Sequence, residues 1–390
     1  MSHVARHEAA PRSDTVVLVQ VLRGLAAALV LLGHTQEQLR VAALKAGLAE
    51  PARLVWPGGF GVDLFFCISG FIMVVTSARL AGQPGAAQQF LMRRAIRLVP
   101  LYWLATLLYL AVLALGSHGL PAQPLTALLS SLAFVPHAVG GLQGGLPYPL
   151  LSLGWSLNYE VLFYLLFASW LALPMRQVVV GTWALLLMLV GAGALWPPEA
   201  TALRFWTRPI VLEFGLGLLL GQAWRAGWRL PGAAALALAA TALALLLADP
   251  LGLLQAAPGA STPNEWPRLL GWGLPAAGLL FALTGYERGQ AAQVARWPLG
   301  ALVRLGDWSY ALYLFHPFAL LALTRAWLAA GDAHRPGLAL LALALIAASV
   351  LLAALVHERL DRPLTRALNH RWQRRASRAP LPATARAPLP

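Results

Sequence analysis

The chain has 390 residues, of which 59% are hydrophobic and only 11% are charged, and its mean hydropathy is +0.66. A soluble domain carries about 25% charged residues, so this composition excludes an ordinary soluble enzyme and indicates a polytopic membrane protein. The net charge of +14 does not indicate nucleic-acid binding, because the basic residues lie between apolar runs and in the C-terminal tail. Cys67 is the only cysteine, which excludes a disulfide within the chain and a cysteine-based metal site.

Ten apolar runs are long enough to cross a bilayer as helices. They cover residues 16–38, 60–78, 98–116, 153–173, 177–195, 207–224, 231–248, 268–285, 305–328 and 337–357. A further run, 125–136, is shorter and is flanked by proline and glycine, so we predict a re-entrant or interfacial helix there. The predicted fold is all-α: a polytopic integral membrane protein with about ten transmembrane helices and one short additional helix.

The basic residues predict the orientation of these spans. With the N-terminus in the cytoplasm, most of the 29 Lys and Arg residues fall on the cytoplasmic side, as the positive-inside rule requires. The chain then divides into a cytoplasmic N-terminal segment (1–15), a transmembrane domain (16–362) and a basic tail (363–390). We predict that the tail is disordered, lies in the cytoplasm and contacts anionic lipid.

The first span carries two polar residues, Arg23 and His34, at a separation of eleven residues. Three helical turns return the second side chain to nearly the same face, about 16 Å further along the axis. Ionisable groups at this depth are costly, and a pair on one face favours a functional role. The alternative is that Arg23 reaches the headgroups and that His34 merely ends the helix.

The second and fourth spans each contain a carboxylate. Asp63 lies near the outer end of its span with Ser69 deeper, and it either pairs with His34 or caps its own helix. Glu160 lies about two turns inside the fourth span and needs a partner, for which His34 is best placed by depth. The alternative for Glu160 is a structural pair with another helix.

Three arginines precede the third span. Arg94 and Arg97 are i, i+3 neighbours that together are suited to grip one polyphosphate, and Arg93 lies beside them. The alternative is that these residues only anchor and orient the neighbouring helices.

The ninth span contains Ser309, Tyr310, Tyr313 and His316, and four polar groups within eight residues predict a polar cavity. The alternative for His316 is an ordinary hydrogen bond between two helices. The motifs HExxH, GxxxxGK[ST], GxGxxG and GxSxG are absent from the sequence. Their absence argues against metal-dependent hydrolysis, nucleotide-driven pumping and an α/β-hydrolase site.

Taken together, seven segments resemble, in order, the membrane acyltransferase-3 family, the polytopic O-acyltransferases of O-antigen, Nod factors and exopolysaccharides. The resemblance spans about residues 17–363. The segments are LRGLAAALVLLGH, GGFGVDLFFCISGFIM, FLMRRAIRLVPLYW, WSLNYEVLFY, RPIVLEFGLGLLLG, SYALYLFHP and HERLDRP.

The resemblance implies an enzyme in the bacterial inner membrane whose co-substrate is an acyl-CoA, usually acetyl-CoA, used on the cytoplasmic side. The acceptor would be a glycan or glycolipid on the outer side, and no metal takes part. The essential arginine and histidine of the family map onto Arg23 and His34, its arginine pair onto Arg94 and Arg97, and its WSL-motif glutamate onto Glu160. The expected partners are these substrates, membrane lipids and polysaccharide-assembly proteins, and not nucleic acid.

The physical chemistry of the substrates agrees with this mapping. Coenzyme A is polyanionic and needs cytoplasmic cations, whereas its pantetheine arm is uncharged and comparable in length to the 16 Å rise. His34 would act as the general base or form an acyl-imidazole, with Glu160 or, less favourably, Asp63 orienting its ring. The residues predicted around the substrate, among which Tyr310 and His316 are candidates for binding the oxyanion, are Asp63, Ser69, Tyr310, Tyr313 and His316.

Two departures from the family pattern and two alternative functions accompany this prediction. Many members carry an acidic residue shortly before the first arginine, where this chain has Gln20, and no SGNH hydrolase-like domain follows the last span. The alternatives are a transporter or exporter of a glycan or lipid precursor with an intramembrane polar pathway, and a non-catalytic partner in polysaccharide assembly.

Overall fold

The computed structural model describes residues 16–51, 57–116, 119–138, 147–255, 265–331 and 337–376, and in these ranges the chain forms helices and no strand. Its α-helices are α1 (Val17–Lys45), α2 (Phe60–Ser77), α3 (Ala86–Leu115), α4 (Pro124–Leu132), α5 (Trp155–Ala168), α6 (Met175–Leu195), α7 (Thr201–Trp206), α8 (Leu212–Arg225), α9 (Gly232–Ala248), α10 (Trp266–Arg268), α11 (Leu274–Val294), α12 (Gly300–Ala329), α13 (Leu338–Val356) and α14 (Arg362–Ala376). The π-helical turns Leu269–Gly273 and His357–Asp361 join α10 to α11 and α13 to α14.

Seven helical segments of the described chain are long and apolar enough to cross a membrane, which confirms an all-α polytopic membrane protein. They are Val17–Lys45, Phe60–Ser77, Ala86–Leu115, Met175–Leu195, Trp266–Val294, Gly300–Ala329 and Leu338–Arg374. The three other predicted spans correspond to α5, α8 and α9, of 14, 14 and 17 residues. A 14-residue helix is about 21 Å long, which is shorter than the hydrocarbon core, and the 3-10 turns Ser152–Gly154 and Pro209–Val211 extend α5 and α8. The count of ten spans stays a prediction.

The first helix begins without a capping side chain of its own. The backbone N–H groups of Val17 and Leu18 instead donate to the two carboxylate oxygens of Glu287 on α11, at 2.7 and 2.8 Å. A carboxylate satisfies the free N–H groups of a helix start and interacts favourably with its dipole. This contact fixes the start of α1, two turns before Arg23.

Helices α1 and α12 form the most extensive helix–helix contact, and they run in the same direction. Gly24 lies against the backbone near Gly306, where a Cβ atom on Gly24 would come within 2.8 Å of the Leu302 carbonyl oxygen. Ten residues further along both helices, His34 meets His316. Successive spans of a bundle cross the membrane in alternating directions, so the first and ninth spans are expected to run parallel, as α1 and α12 do.

Helices α2 and α8 are a second closely packed parallel pair. Gly217 lies against the backbone of Cys67, and Gly221 lies against Val74 one to two turns later along both helices. In the ten-span prediction these are the second and sixth spans, which also run in one direction. Both parallel pairs therefore agree with counting the 125–136 segment as a short helix and not as a span.

That short helix is present at Pro124–Leu132, and its nine residues are too few to cross a bilayer. It packs against α3, where the indole N–H of Trp103 donates to the carbonyl of Leu132 at 2.9 Å. The prediction of a short additional helix in this region is confirmed.

The predicted disorder of the segment from residue 363 is wrong for its first part, because α14 continues to Ala376. The preceding π-helical turn is bridged by a hydrogen bond between His357 and Asp361 at 3.0 Å and by an ion pair from Arg362 to Glu358 at 2.9 Å. Pairs four residues apart support a helix at this boundary, and α14 also packs against α3. Residues 377–390 of the predicted tail lie outside the described residues.

Candidate active site

A polar cavity of about 110 Å³ lies between α1, α2, α3, α5 and α12. Its charged lining residues are Arg23, Arg94, Arg97 and Glu160. Its hydroxyl-bearing lining residues are Ser69, Ser156, Tyr164, Ser309, Tyr310 and Tyr313. The prediction of a polar cavity around the ninth span is confirmed for these members of α12, and three guanidinium groups face one carboxylate within it.

Arg23 is buried on α1, with 8% of its surface exposed, and is held from α12. Its Nη2 donates to Oγ of Ser309 at 3.0 Å, and its Nη1 donates to Oε1 of Gln20 at 3.1 Å. Gln20 in turn donates from Nε2 to Oδ1 of Asp307 at 3.2 Å. The carboxylate of Asp307 on α12 is thus linked to Arg23 through the amide of Gln20.

The three neighbouring arginines lie within α3 and not in a connecting segment, because that helix begins at Ala86. Arg94 donates from Nη2 to Oγ1 of Thr76 at 3.0 Å, and its guanidinium lies 5.7 Å from the ring centroid of Tyr164. Arg94 and Arg97 both line the cavity, and Arg93 does not. Arg93 and Arg97 are exposed and Arg94 is half-buried, so the two arginines of the i, i+3 pair reach the cavity wall together, as predicted.

Glu160 belongs to the cavity wall and has partners other than the predicted one. Its Oε1 accepts hydrogen bonds from the hydroxyl of Ser69 at 3.2 Å and from the hydroxyl of Tyr164. The predicted pairing with His34 is wrong, because these two hydroxyl groups on α2 and α5 hold the carboxylate inside the polar cavity. Its charged neighbours in the cavity are Arg23, Arg94 and Arg97, and not His34.

His34 is instead bonded to His316. Its Nδ1 lies 2.9 Å from Nε2 of His316, and Nδ1 of His316 lies 2.8 Å from the carbonyl oxygen of Leu312. His316 is buried, with 1% of its surface exposed, whereas His34 is exposed. The two residues are named the histidine pair below, and neither of them lines the polar cavity.

Tyr313 lies one turn from His316 and closes the cavity on that side. Its hydroxyl donates to the carbonyl of Leu153 at 2.8 Å and lies 2.8 Å from Oγ of Ser156. The hydroxyl of Tyr310 donates to the carbonyl of Leu98 at 2.6 Å. Both tyrosine hydroxyls are therefore bonded to backbone, which leaves neither of them as a free donor for an oxyanion in this conformation.

Asp63 forms a buried ion pair with Arg268, which sequence reasoning missed. The carboxylate accepts from Nε and Nη2 of Arg268, both at 2.9 Å, and the two residues are 0% and 4% exposed. Glu213 of α8 is also fully buried, and it interacts electrostatically with both Asp63 and Arg268. The predicted pairing of Asp63 with His34 is wrong, because the bidentate guanidinium occupies the carboxylate. Asp63 lies in the first turn of α2, where the helix dipole favours a negative charge, but it makes no capping hydrogen bond. The sequence feature that could have identified Arg268 is its position, as a charged residue, at the start of an apolar run.

Comparison with known proteins supplies an independent line of evidence. The profile of the acyltransferase-3 family, described as an acyltransferase domain, matches residues 17–358. The chain is 34% identical over 310 residues to the exopolysaccharide production protein ExoZ of Rhizobium meliloti (strain 1021), covering 79% of this chain and 90% of that protein. It is 30% identical over 417 aligned positions to the acyltransferase MdmB of Streptomyces mycarofaciens, covering 97% and 98%. No solved structure matches the chain significantly.

Proposed function

The chain belongs to the acyltransferase-3 family, and from this premise we propose that it transfers an acyl group, acetyl from acetyl-CoA, to a hydroxyl group of an exported or cell-envelope glycan. The observation that carries the proposal is the polar cavity, in which Arg23, Arg94 and Arg97 converge from two helices. Guanidinium groups bind phosphate oxygens in a bidentate manner, and a cluster of them suits a nucleotide with several phosphates. In the proposed reaction, acyl-CoA enters the protein through this cavity.

The charges of the cavity favour a long ligand with an anionic head and a neutral arm. Arg94 and Arg97 on one face of α3 would bind the phosphates, while the exposed Arg93 contributes only to the surrounding potential. The inner wall offers the hydroxyl groups of Ser69 and Ser309, which suit the amides of a pantetheine arm. The uncharged arm can enter the bundle without the cost of burying an ion.

The histidine pair lies where the end of that arm would arrive. Arg23 and His34 are separated by eleven residues of one continuous helix, or about 16 Å along its axis. His34 is exposed and therefore accessible to an acceptor. For the thioester to reach His34, the side chain of Tyr313 has to leave its hydrogen bonds to Ser156 and Leu153, and we propose that acyl-CoA binding drives this movement.

The transfer itself needs one base and no external reactant. The acceptor hydroxyl oxygen attacks the thioester carbonyl carbon while Nε2 of His34 removes the hydroxyl proton. The new C–O bond forms, the C–S bond breaks, and the proton passes from His34 to the departing sulfur, so the products are an ester and free coenzyme A. His34 thus serves as acid and base in one cycle, and no charge accumulates in the membrane.

The nature of the acceptor follows from the relatives. One of them is named for exopolysaccharide production, which supports a polysaccharide or its lipid-linked precursor as the acceptor for this chain. We therefore place the protein in the bacterial inner membrane with both termini in the cytoplasm, alongside polysaccharide-assembly proteins. The family membership favours group transfer over the alternative of a transporter.

The test uses the purified full-length protein in lipid nanodiscs with acetyl-CoA labelled in the acetyl group. Addition of envelope polysaccharide from the source cells should produce labelled polysaccharide together with an equal amount of free coenzyme A thiol. The same preparation without polysaccharide is the control. Absence of label in the polysaccharide, with acetyl-CoA bound, would refute the proposed transfer.

A further inference from the structure

The geometry of the histidine pair points to a positioning role for His316: it holds His34 in the tautomer whose Nε2 carries a free lone pair. We infer this role in addition to the proposed function and on the basis of it. His316 cannot touch a substrate in this structure, because it is 1% exposed and lies outside the lining of the polar cavity. The role of His316 therefore follows from its hydrogen bonds to His34 and Leu312.

The hydrogen bond to Leu312 determines which nitrogen of His316 carries the proton. Its Nδ1 lies 2.8 Å from the carbonyl oxygen of Leu312, and a carbonyl oxygen only accepts hydrogen bonds. Nδ1 of His316 therefore carries the proton. In a neutral imidazole the other nitrogen, Nε2, is then an acceptor with an exposed lone pair.

The protonation of His316 in turn determines which nitrogen of His34 carries a proton. Nδ1 of His34 lies 2.9 Å from Nε2 of His316, which has just been identified as an acceptor. Nδ1 of His34 must then be the donor and carry the proton. The lone pair of neutral His34 is left on Nε2, the nitrogen that does not face His316, on a side chain that is exposed. This is the state that a general base requires.

The arrangement of the two rings agrees with this chain of hydrogen bonds. Their planes differ by 20°, and their centroids are 5.0 Å apart, which exceeds the nitrogen–nitrogen distance by roughly one ring width. The rings therefore lie edge to edge and nearly coplanar, with the N–H group of one directed at the in-plane lone pair of the other. Face-to-face stacking would not bring two ring nitrogens to 2.9 Å along this direction.

Position 316 allows a matched set of variants. A glutamine side chain places its amide near the position of Nε2, so His316→Gln retains an acceptor for His34 and loses the bond to Leu312. An asparagine side chain places its amide near Nδ1, so His316→Asn retains the bond to Leu312 and loses the acceptor. His316→Leu loses both contacts.

Each variant is compared with the wild-type protein in nanodiscs for acetyl-CoA binding and for acetyl transfer to polysaccharide. We expect His316→Gln to keep kcat within about tenfold of wild type, and His316→Asn and His316→Leu to lose about a hundredfold or more. The Kd for acetyl-CoA should stay unchanged in all three, which also reports that they fold. A purely structural role would instead make Gln no better than Asn, and that result would overturn the inference.

A measurement on the unmodified protein keeps the inference testable if a variant fails to fold. The ¹⁵N chemical shifts of labelled histidine distinguish the two neutral tautomers, and the His34 signal is identified by its loss in His34→Gln. We expect the Nδ1–H tautomer for His34, and the Nε2–H tautomer would overturn the inference. Failure of the proposed function gives a different result: the wild-type protein itself then transfers no acetyl group.

Discussion

The hydroxyl of Tyr313 lies 2.8 Å from Oγ of Ser156, where the polar cavity ends on the side of the histidine pair. This contact joins α12 to α5, and it separates the arginine-lined part of the bundle from His34. The proposed reaction requires this contact to open, so that the thioester can reach His34.

Replacement of Tyr313 by phenylalanine should weaken this closure. The variant loses the hydrogen bonds to Ser156 and Leu153, each with a net contribution of about 1 kcal/mol. We expect acetyl-CoA hydrolysis in the absence of acceptor to rise about tenfold, since water then reaches the thioester more often. The measurement is release of free thiol without polysaccharide.

The matched control is Tyr159→Phe on α5. The Tyr159 hydroxyl also donates to a backbone carbonyl, that of Phe205 at 2.7 Å, but it does not line the cavity. Equal hydrolysis rates in the two variants would contradict a gating role for Tyr313.

Alanine in place of His34 should remove acyl transfer while leaving the donor site intact. Loss of a general base costs about 10²- to 10⁴-fold in rate, and His34 does not line the cavity in which acetyl-CoA would bind. The expected result is therefore a lower kcat with an unchanged Kd for acetyl-CoA. The exposed His370 of α14 offers a control in His370→Ala, and full activity of His34→Ala would remove this residue from the mechanism.

The arginines of α3 make a comparison within one short segment. Arg94→Gln and Arg97→Gln each remove a cation from the cavity wall, and we expect acetyl-CoA affinity to fall about tenfold or more for each. Arg93→Gln removes the same charge from a position outside the cavity lining and should have little effect. Isothermal titration with acetyl-CoA and with dephosphorylated pantetheine derivatives distinguishes a phosphate contact from a general loss of fold. Equal effects at all three positions would identify these residues as membrane anchors.

The buried ion pair predicts a change in stability. Asp63→Asn removes the bidentate carboxylate from the buried guanidinium of Arg268, and breaking a buried ion pair typically costs about 3–5 kcal/mol in free energy of unfolding. The measurement is thermal unfolding in detergent, and the double variant Asp63→Asn, Arg268→Gln should recover part of the loss. A single variant as stable as the wild-type protein would show that Arg268 finds another partner.

The orientation of the bundle is testable with single introduced cysteines in a Cys67→Ser background. Cys67 itself is fully buried in α2. Gln123→Cys, just before α4, should react with a membrane-impermeant maleimide in intact spheroplasts, whereas Arg371→Cys on α14 should react only after lysis. Labelling of Arg371→Cys in intact spheroplasts would overturn the predicted cytoplasmic C-terminus.

Much of the architecture was predictable, because hydrophobic runs and residue spacing are local properties of the chain. The runs located the helices, and the spacing of Arg23 and His34 placed both on α1. The i, i+3 spacing of Arg94 and Arg97 brought both into the cavity wall. The prediction failed at the start of α14, where side-chain pairs across one helical turn outweigh a polar composition.

The partners of the buried polar residues were decided by the tertiary structure alone. His316 lies 282 positions from His34, and the two meet only because α1 and α12 pack closely in a parallel arrangement. Depth along a helix could be estimated from the sequence, and it favoured Glu160, and Asp63 less strongly, as the partner of His34. The rotation of each helix about its axis was not readable, since it depends on packing against every neighbour at once. That rotation turns Glu160 towards Ser69 on α2 and Asp63 towards Arg268, and leaves a second histidine to bond His34.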